Sequence, residues 1–281
     1  MNLISPRSII NTMGASLGAL YNDADEGKSV IEILLMHHLG MNRIQLYSGD
    51  PNSIDESVMD RINSDFERLL LNEPIQYVTG KAWFAGMELF VGEGTLIPRP
   101  ETEELVSWVV SEYSEFQNNI EIVDVGTGSG CIALALKKAM PDAVVVGVDF
   151  SEKALRIAYK NTKALNLDVD FVKCDILVEN LPIPVRDRRI IVSNPPYVLE
   201  SEKVSIADRV RLFEPESALF VPDDDPLLFY RRILEIKNIE SFFFEINPLK
   251  SFGIVDSATH LHMKTEIRKD IFGKLRMLKI H

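Results

Sequence analysis

The mainly apolar stretch Ile120–Val125, broken only by Glu121 and Asp124, ends in Asp124-Val-Gly-Thr-Gly-Ser-Gly130, and apolar residues at helical spacing resume from Cys131 to Met140. A short run without polar alternation is the pattern of a strand covered on both faces, as in a parallel sheet. Glycines directly after such a strand let the chain turn sharply and bring backbone N–H groups close to a ligand, with no side chain in the way. This one junction commits the chain to an α/β fold with a ligand near the carboxyl end of a strand.

The rest of the chain agrees. Strands are expected at Ala143–Val148, Val169–Lys173, Ile190–Ser193 and Phe242–Ile246, with helices at Ser151–Leu165 and near Pro226–Ile236. A further helix starts at Pro100, with Glu101, Glu103 and Glu104 near its positive end. Residues 98–281 are therefore expected to form a parallel sheet covered by helices on both faces. Residues 1–72 read as a small helical bundle. Ile9, Ile10, Met13, Leu17 and Leu20 keep helical spacing, a second helix runs from about Asp25 to a stop at Gly40, and a third follows Pro51 with Met59, Ile62, Phe66 and Leu69 on one face. Residues 73–97 interleave Tyr77, Trp83, Phe84, Leu89 and Phe90 with Gly80, Gly86, Gly92 and Gly94, which predicts a β-hairpin linking the two parts.

A chain of 281 residues, 46% hydrophobic, can bury the cores of two domains. Its net charge of −12, with no excess of Lys and Arg in either part, argues against general binding to a phosphate backbone. The basic stretch Lys264–His281 reads as a solvated strand pair. Cys131 and Cys174 make neither a disulfide framework nor a zinc pattern and are expected to be core thiols. His260 and His262 lack further ligands, so no metal is expected. With no run of 18 apolar residues and no signal-peptide core, no membrane association is expected, and the cytoplasm is the expected location.

Two constellations carry chemistry. The first is the glycine turn with Asp149, which ends the second strand 19 residues past Gly130 and can accept hydrogen bonds from both hydroxyls of a ribose. Asp175, with Ile176, ends the third strand at a place suited to an adenine edge. An NAD-binding domain shares this layout. Asp124, an acid ahead of the glycines that can order the loop or meet an amino-acid moiety, favours S-adenosylmethionine instead. The second is Asn194-Pro-Pro-Tyr197, after the fourth strand, with 63 residues between Gly130 and Asn194. Two prolines make it stiff and extended. Asn194 offers a side-chain carbonyl and Pro195 a backbone carbonyl, both able to accept from one NH₂ group, while Tyr197 can pack on a planar substrate. Such a pair suits methyl transfer to a planar amide or amine nitrogen, which needs alignment more than a strong base.

Together these residues resemble the HemK/PrmC family, the glutamine N5-methyltransferases of peptide chain release factors. The likeness extends over nearly the whole chain, through Glu73-Pro-Ile-Gln-Tyr-Val-Thr-Gly80, Leu96-Ile-Pro-Arg-Pro-Glu-Thr-Glu103, Phe213-Glu-Pro-Glu-Ser-Ala-Leu219 and Lys269-Asp-Ile-Phe-Gly-Lys-Leu-Arg276. It implies a Rossmann-like class I methyltransferase sheet, a small N-terminal helical-bundle domain for substrate recognition and a connecting hairpin. It implies S-adenosylmethionine bound by Asp124, Gly126, Thr127, Gly128, Ser129, Gly130, Asp149, Phe150, Asp175, Ile176 and Asn194. It also implies catalysis by Asn194, Pro195, Pro196 and Tyr197 on the Gly-Gly-Gln glutamine of class I release factors, by a monomer that holds no nucleic acid stably. Lys237-Asn-Ile-Glu-Ser241 stands where such enzymes carry a Pro-Gly-Gly-like turn, and the stretch after Ile246 is short, which leaves the last helix and the sheet edge undefined. Three other readings share parts of the pattern: a nucleic-acid base methyltransferase, a silent module that binds cofactor and a protein, and an NAD-dependent dehydrogenase. Outside the motifs, Trp83 and Trp108 are expected to pack in the core, and Arg99 either to pair with Glu101 or to form the pocket lip.

Overall fold

The computed structural model describes residues 5–48, 54–184 and 186–281. They form two compact units. The smaller contains the described residues up to Gly80 together with Asp208–Phe213, and the larger contains Lys81–Ala207 and Glu214–His281. Pro51, expected just ahead of a helix, lies outside the described residues.

The smaller unit is built on α1 (Pro6–Tyr21), α2 (Ala24–Leu39), α3 (Arg43–Ser48), α4 (Glu56–Leu70) and α5 (Ile75–Thr79). Local chemistry sets the ends of the first two. The Ser5 hydroxyl accepts from Ser8 N–H at 3.2 Å ahead of Pro6, and Asp23 accepts from the N–H groups of Asp25 and Glu26. Asn22 and Gly40 close the helices in the left-handed conformation. A Cβ on Gly27 would lie 2.3 Å from the backbone nitrogen of Gly18, so α1 and α2 meet backbone to backbone. Ile10, Leu17, Ile31, Leu34, Leu35, Ile62 and Leu69 fill the core. Arg209, far along the chain, pairs with Glu26 and lies over the Tyr21 ring, which draws its segment into this unit.

The larger unit opens with the hairpin β1 (Lys81–Phe84) and β2 (Met87–Phe90). Ala85 and Gly86, both at positive φ, make the tight turn between them. The hairpin is shorter than expected, because residues 75–79 are helical. Trp83, expected in the core, is 71% exposed. Ala82 and Phe84 take the inward face, and the two-residue period of a strand puts Trp83 on the other.

The main elements are α6 (Pro100–Tyr113), β3 (Glu121–Val125), α7 (Cys131–Ala139), β4 (Val144–Asp149), α8 (Glu152–Leu165), β5 (Asp170–Lys173), β6 (Arg189–Ser193), β7 (Val198–Leu199), α9 (Asp208–Arg211, counted with the smaller unit), β8 (Phe220–Val221), α10 (Leu228–Leu234), β9 (Ser241–Glu245), α11 (Ser251–His260), β10 (Thr265–Lys269) and β11 (Leu275–Ile280). Seven strands make one sheet in the order β10-β11-β9-β6-β3-β4-β5. The five from β9 to β5 run parallel, and β10 and β11 add an antiparallel edge. On β9, Phe243 points to the face where Trp108 and Leu134 pack, while Phe242 and Phe244 point to the face of Tyr230 and Ile254. The chain leaves β3 toward β4 and returns on its other side as β6, and this reversal opens a crevice at the carboxyl ends of those strands.

The last part is complete. Asn238, at φ 61°, makes the turn before β9 without the Pro-Gly-Gly pattern, and α11 forms. The end of the chain is not a solvated pair. β11 is interior, between β10 and β9, with Met277, Leu278 and Ile280 buried. Three of the six cations in this stretch are paired: Lys279 with Glu112, Arg268 with Glu266, and Arg276 with Asp270. Among the described residues no helix is long and apolar enough to cross a membrane.

Candidate functional site

At the carboxyl ends of β3, β4, β5 and β6 lies an open cleft of about 780 Å³, counting the solvent space at its mouth. Its floor is the glycine turn. Gly126 and Thr127 donate their N–H groups to the Val148 carbonyl at the end of β4, and Gly130 donates to Thr127. Gly126, Gly128 and Gly130 all have positive φ. Only the first two line the cleft, and a Cβ on either meets nothing within 4 Å. A Cβ on Gly130 would lie 3.0 Å from the Phe171 ring of β5 and 3.3 Å from Ala158 of α8, so this glycine allows close packing at the start of α7. The open space over Gly126 and Gly128 is the cradle that a bound cofactor would occupy.

Asp124 is fully buried behind this floor. Its Oδ2 accepts from the Thr127 hydroxyl at 2.6 Å and from Ala133 N–H at 3.2 Å, bracing the turn against the first turn of α7. Burial, with some help from the charge of Asp149, pushes its carboxyl up to about 7, although those hydrogen bonds pull the other way. A carboxyl raised by folding binds more protons in the native than in the unfolded state between its ordinary value and about 7, so this group makes the protein less stable as pH rises through that window. Asp124→Asn cannot titrate. The melting temperature of the variant relative to the parent is therefore expected to rise from about pH 4 to about pH 7. Scanning calorimetry across that range tests this, and a difference independent of pH would overturn it.

Asp149, at the end of β4, lines the cleft. Its Oδ2 accepts from Gly128 N–H and its Oδ1 from Ser151 N–H, each at 2.9 Å. Burial raises this carboxyl as well. Half-exposed Phe150 follows it along the wall. Asp175 accepts from Leu177 N–H at 3.0 Å, in a tight turn that presents Ile176 to the cleft. Thr127 and Ser129 are buried and act through the turn. Cys174 is buried, and Cys131 sits at the start of α7 with its thiol pushed up to about 12, again by burial.

Asn194, Pro195 and Pro196 form the rim beyond β6. Ser193 anchors them by donating to the Val125 carbonyl at 2.7 Å. The Asn194 Nδ2 donates to Thr102 Oγ1 at 3.3 Å, and Thr102 in turn donates to Glu245 Oε2 at 2.6 Å. Tyr197 packs beside the core, and its hydroxyl donates to the other oxygen, Glu245 Oε1, at 3.3 Å. Burial raises the Tyr197 phenol and the Glu245 carboxyl.

Several residues that brace the site have roles the sequence does not show, although Glu214 sits within Phe213-Glu-Pro-Glu-Ser-Ala-Leu219. Glu214, 4% exposed, accepts from Ile97 N–H at 3.0 Å and from Arg99 at 2.5 Å. It ties Gly94 and Leu96 on one wall to Pro215, Ser217 and Ala218 on the other. Arg99 thus pairs with Glu214 and not with Glu101. Asn161 bonds the carbonyls of Ser129 and Phe90 through its Nδ2, and its Oδ1 accepts from Phe90 N–H. A polar residue on an otherwise apolar face of α8 was the only hint of it. Phe229 and Ile233 add an apolar patch for a flat ring. Among the described residues no group of three or more His, Cys, Asp and Glu is placed to hold a metal.

The cleft thus offers backbone donors and a carboxylate at one end, an apolar slot, and amide carbonyls at the other. Residues 18–80 match the family model of the PrmC N-terminal domain, and residues 105–220 that of the methyltransferase small domain. The release factor glutamine methyltransferase of Flavobacterium psychrophilum is 39% identical over 92% of this chain and 93% of its own. That of Bacteroides thetaiotaomicron is 40% identical over 90% and 92%. Among solved structures, the hMettl16 catalytic domain in complex with MAT2A 3′UTR hairpin 6 superposes with a TM-score of 0.56 at 16% identity, over 80% of this chain and 81% of that one, a likeness of fold alone.

Proposed function

The chain belongs to the release factor glutamine methyltransferase family, and on that premise we propose that it methylates the side-chain amide nitrogen of the Gly-Gly-Gln glutamine of class I release factors, with S-adenosylmethionine as donor and in the cytoplasm. The observation that carries this reading is one continuous cleft running from the glycine turn and Asp149 to the carbonyl-rich rim at Asn194 and Pro195. When bound, S-adenosylmethionine supplies a methyl group on an electrophilic sulfonium. Gly126 and Gly128 would leave room for its amino-acid end, Asp149 would accept from the ribose, and Phe150, Ile176, Phe229 and Ile233 would sandwich the adenine. An amide nitrogen is a weak nucleophile because its lone pair is delocalised into the carbonyl. Asn194 Oδ1 and the Pro195 carbonyl, accepting its two hydrogens, would raise its electron density and hold it in line. In this reading the helical unit, residues 1–72 with the turn that follows, grips another part of the release factor, and residues 98–281 carry the chemistry.

Asn-Pro-Pro-Tyr also serves amino groups of nucleic-acid bases, but a net charge of −12 disfavours a phosphate-binding channel. The test is transfer of labelled methyl to a purified class I release factor, beside a copy with the Gly-Gly-Gln glutamine changed to alanine. Label on the first alone is the expected result. Equal or absent label on both would remove the reading.

Asp149→Ala is expected to weaken S-adenosylmethionine binding by about 10- to 100-fold, through the loss of a charged acceptor and of its brace on Gly128. Calorimetric titration measures this, and unchanged affinity would remove Asp149 from the ribose.

A further inference from the structure

The proposed reaction needs Asn194 one way round. A carboxamide can present either its carbonyl or its NH₂ to the cleft, and only the carbonyl can accept from a substrate amide. Nothing in Asn194-Pro-Pro-Tyr itself chooses between the two. Its surroundings do. Glu245 ends β9, the strand beside β6, and is 2% exposed. Both of its oxygens are engaged by hydroxyls, Oε2 by Thr102 and Oε1 by Tyr197. A threonine hydroxyl has one hydrogen. With that hydrogen spent on Glu245, Thr102 Oγ1 can only accept from its other neighbour, and that neighbour is Asn194 Nδ2. The NH₂ side of Asn194 is thereby turned toward α6, which leaves Oδ1 for the cleft.

Resting on the reading above, we propose that Thr102 and Glu245 are positioning residues whose hydrogen-bond polarity fixes the orientation of Asn194 and so makes the site select an amide over a carboxylate. A glutamine side chain brings hydrogens to Oδ1. A glutamate brings lone pairs, which face Oδ1 without a shared proton. Thr102 lies in the first turn of α6 and packs with it against β9, so the relay is held by the core and not by a loop.

The test uses the full chain and two forms of a class I release factor, one with Gly-Gly-Gln and one with Gly-Gly-Glu. Turnover is measured on the first, and affinity on both with S-adenosylhomocysteine present. The unaltered chain is expected to bind the glutamine form at least about tenfold more tightly, the worth of one well-made hydrogen bond. Thr102→Val, isosteric but without the hydroxyl, is expected to lose about tenfold in turnover and most of that preference, with cofactor affinity unchanged. Thr102→Ser is expected to restore both. A merely structural threonine would lower the two affinities together and leave their ratio alone. Tyr197→Phe removes the hydroxyl on the other oxygen of Glu245 and is expected to keep the preference even if turnover falls. Preference retained in Thr102→Val, or lost in Tyr197→Phe, overturns the relay. No methyl transfer by the unaltered chain overturns the underlying reading instead.

Discussion

Asn194→Ala is expected to lower turnover on the release factor by about 10²–10³-fold, the usual cost of removing one preorganised hydrogen-bonding group from a transition state. The new N–C bond forms only as the amide nitrogen gains density and its hydrogens become acidic, so an acceptor on those hydrogens is worth more in the transition state than in the ground state. The loss should therefore appear mainly in kcat. Affinity for S-adenosylmethionine is expected to stay within a few-fold, because the glycine turn, Asp149 and the Asp175 turn are untouched. The fold should also survive, since Asn194 is only partly buried and its side-chain bond to Thr102 is long at 3.3 Å. Steady-state kinetics and calorimetry separate the two quantities. Turnover within a few-fold of the parent would remove Asn194 from the chemistry.

Glu121→Leu is expected to destabilise the larger unit by about 3–5 kcal/mol, the cost of stranding a buried charge. Glu121 begins β3 and Arg189 begins β6, directly opposite in the parallel ladder, 2% and 4% exposed. Arg189 and Arg186 both bond the carboxylate, and Arg189 also reaches the Pro184 carbonyl. Removing the carboxylate leaves the Arg189 guanidinium without its counter-charge between two strands. Adding Arg189→Met is expected to recover much of the loss, because two apolar side chains of suitable length need no partner. Both tryptophans, Trp83 and Trp108, lie in the larger unit, so their fluorescence during urea unfolding reports on it. Additive losses in the double variant would show that the two residues are not coupled. Methyl transfer by the folded protein should be little changed, because the pair sits at the opposite end of the strands from the cleft.

The sequence alone determined the parts of this protein that rest on short-range chemistry. Glycines after a doubly buried strand can only make a sharp turn with open space above it, and Gly126 and Gly128 do so. An acid closing the next strand must stand at the sheet's carboxyl edge, where Asp149 lines the cleft. Asn194-Pro-Pro after another strand must form a stiff rim, and it does. The resemblance to the family needed more than these residues: it runs also through Glu73–Gly80, Leu96–Glu103, Phe213–Leu219 and Lys269–Arg276, which are local motifs too.

Tertiary structure decided what depends on strand order and on facing. The two-residue period of β1 was legible, but its phase was not, and the phase turned Trp83 outward. Only the insertion of β11 between β10 and β9 revealed that the basic end of the chain is half core, with three of its charges, on Lys279, Arg268 and Arg276, answered by Glu112, Glu266 and Asp270. Asn238 takes a left-handed turn where a glycine was the obvious choice. Arg99 found Glu214 and not Glu101, two residues away, because the wall that carries Pro215 brings Glu214 beside Ile97 and Arg99. Thr102 and Glu245 lie 143 residues apart and carry no periodic signal that joins them. They meet because β9 pairs with β6 and α6 packs across β9. A hydrogen bond between side chains is set by where two backbones are held, and only the folded sheet holds them together.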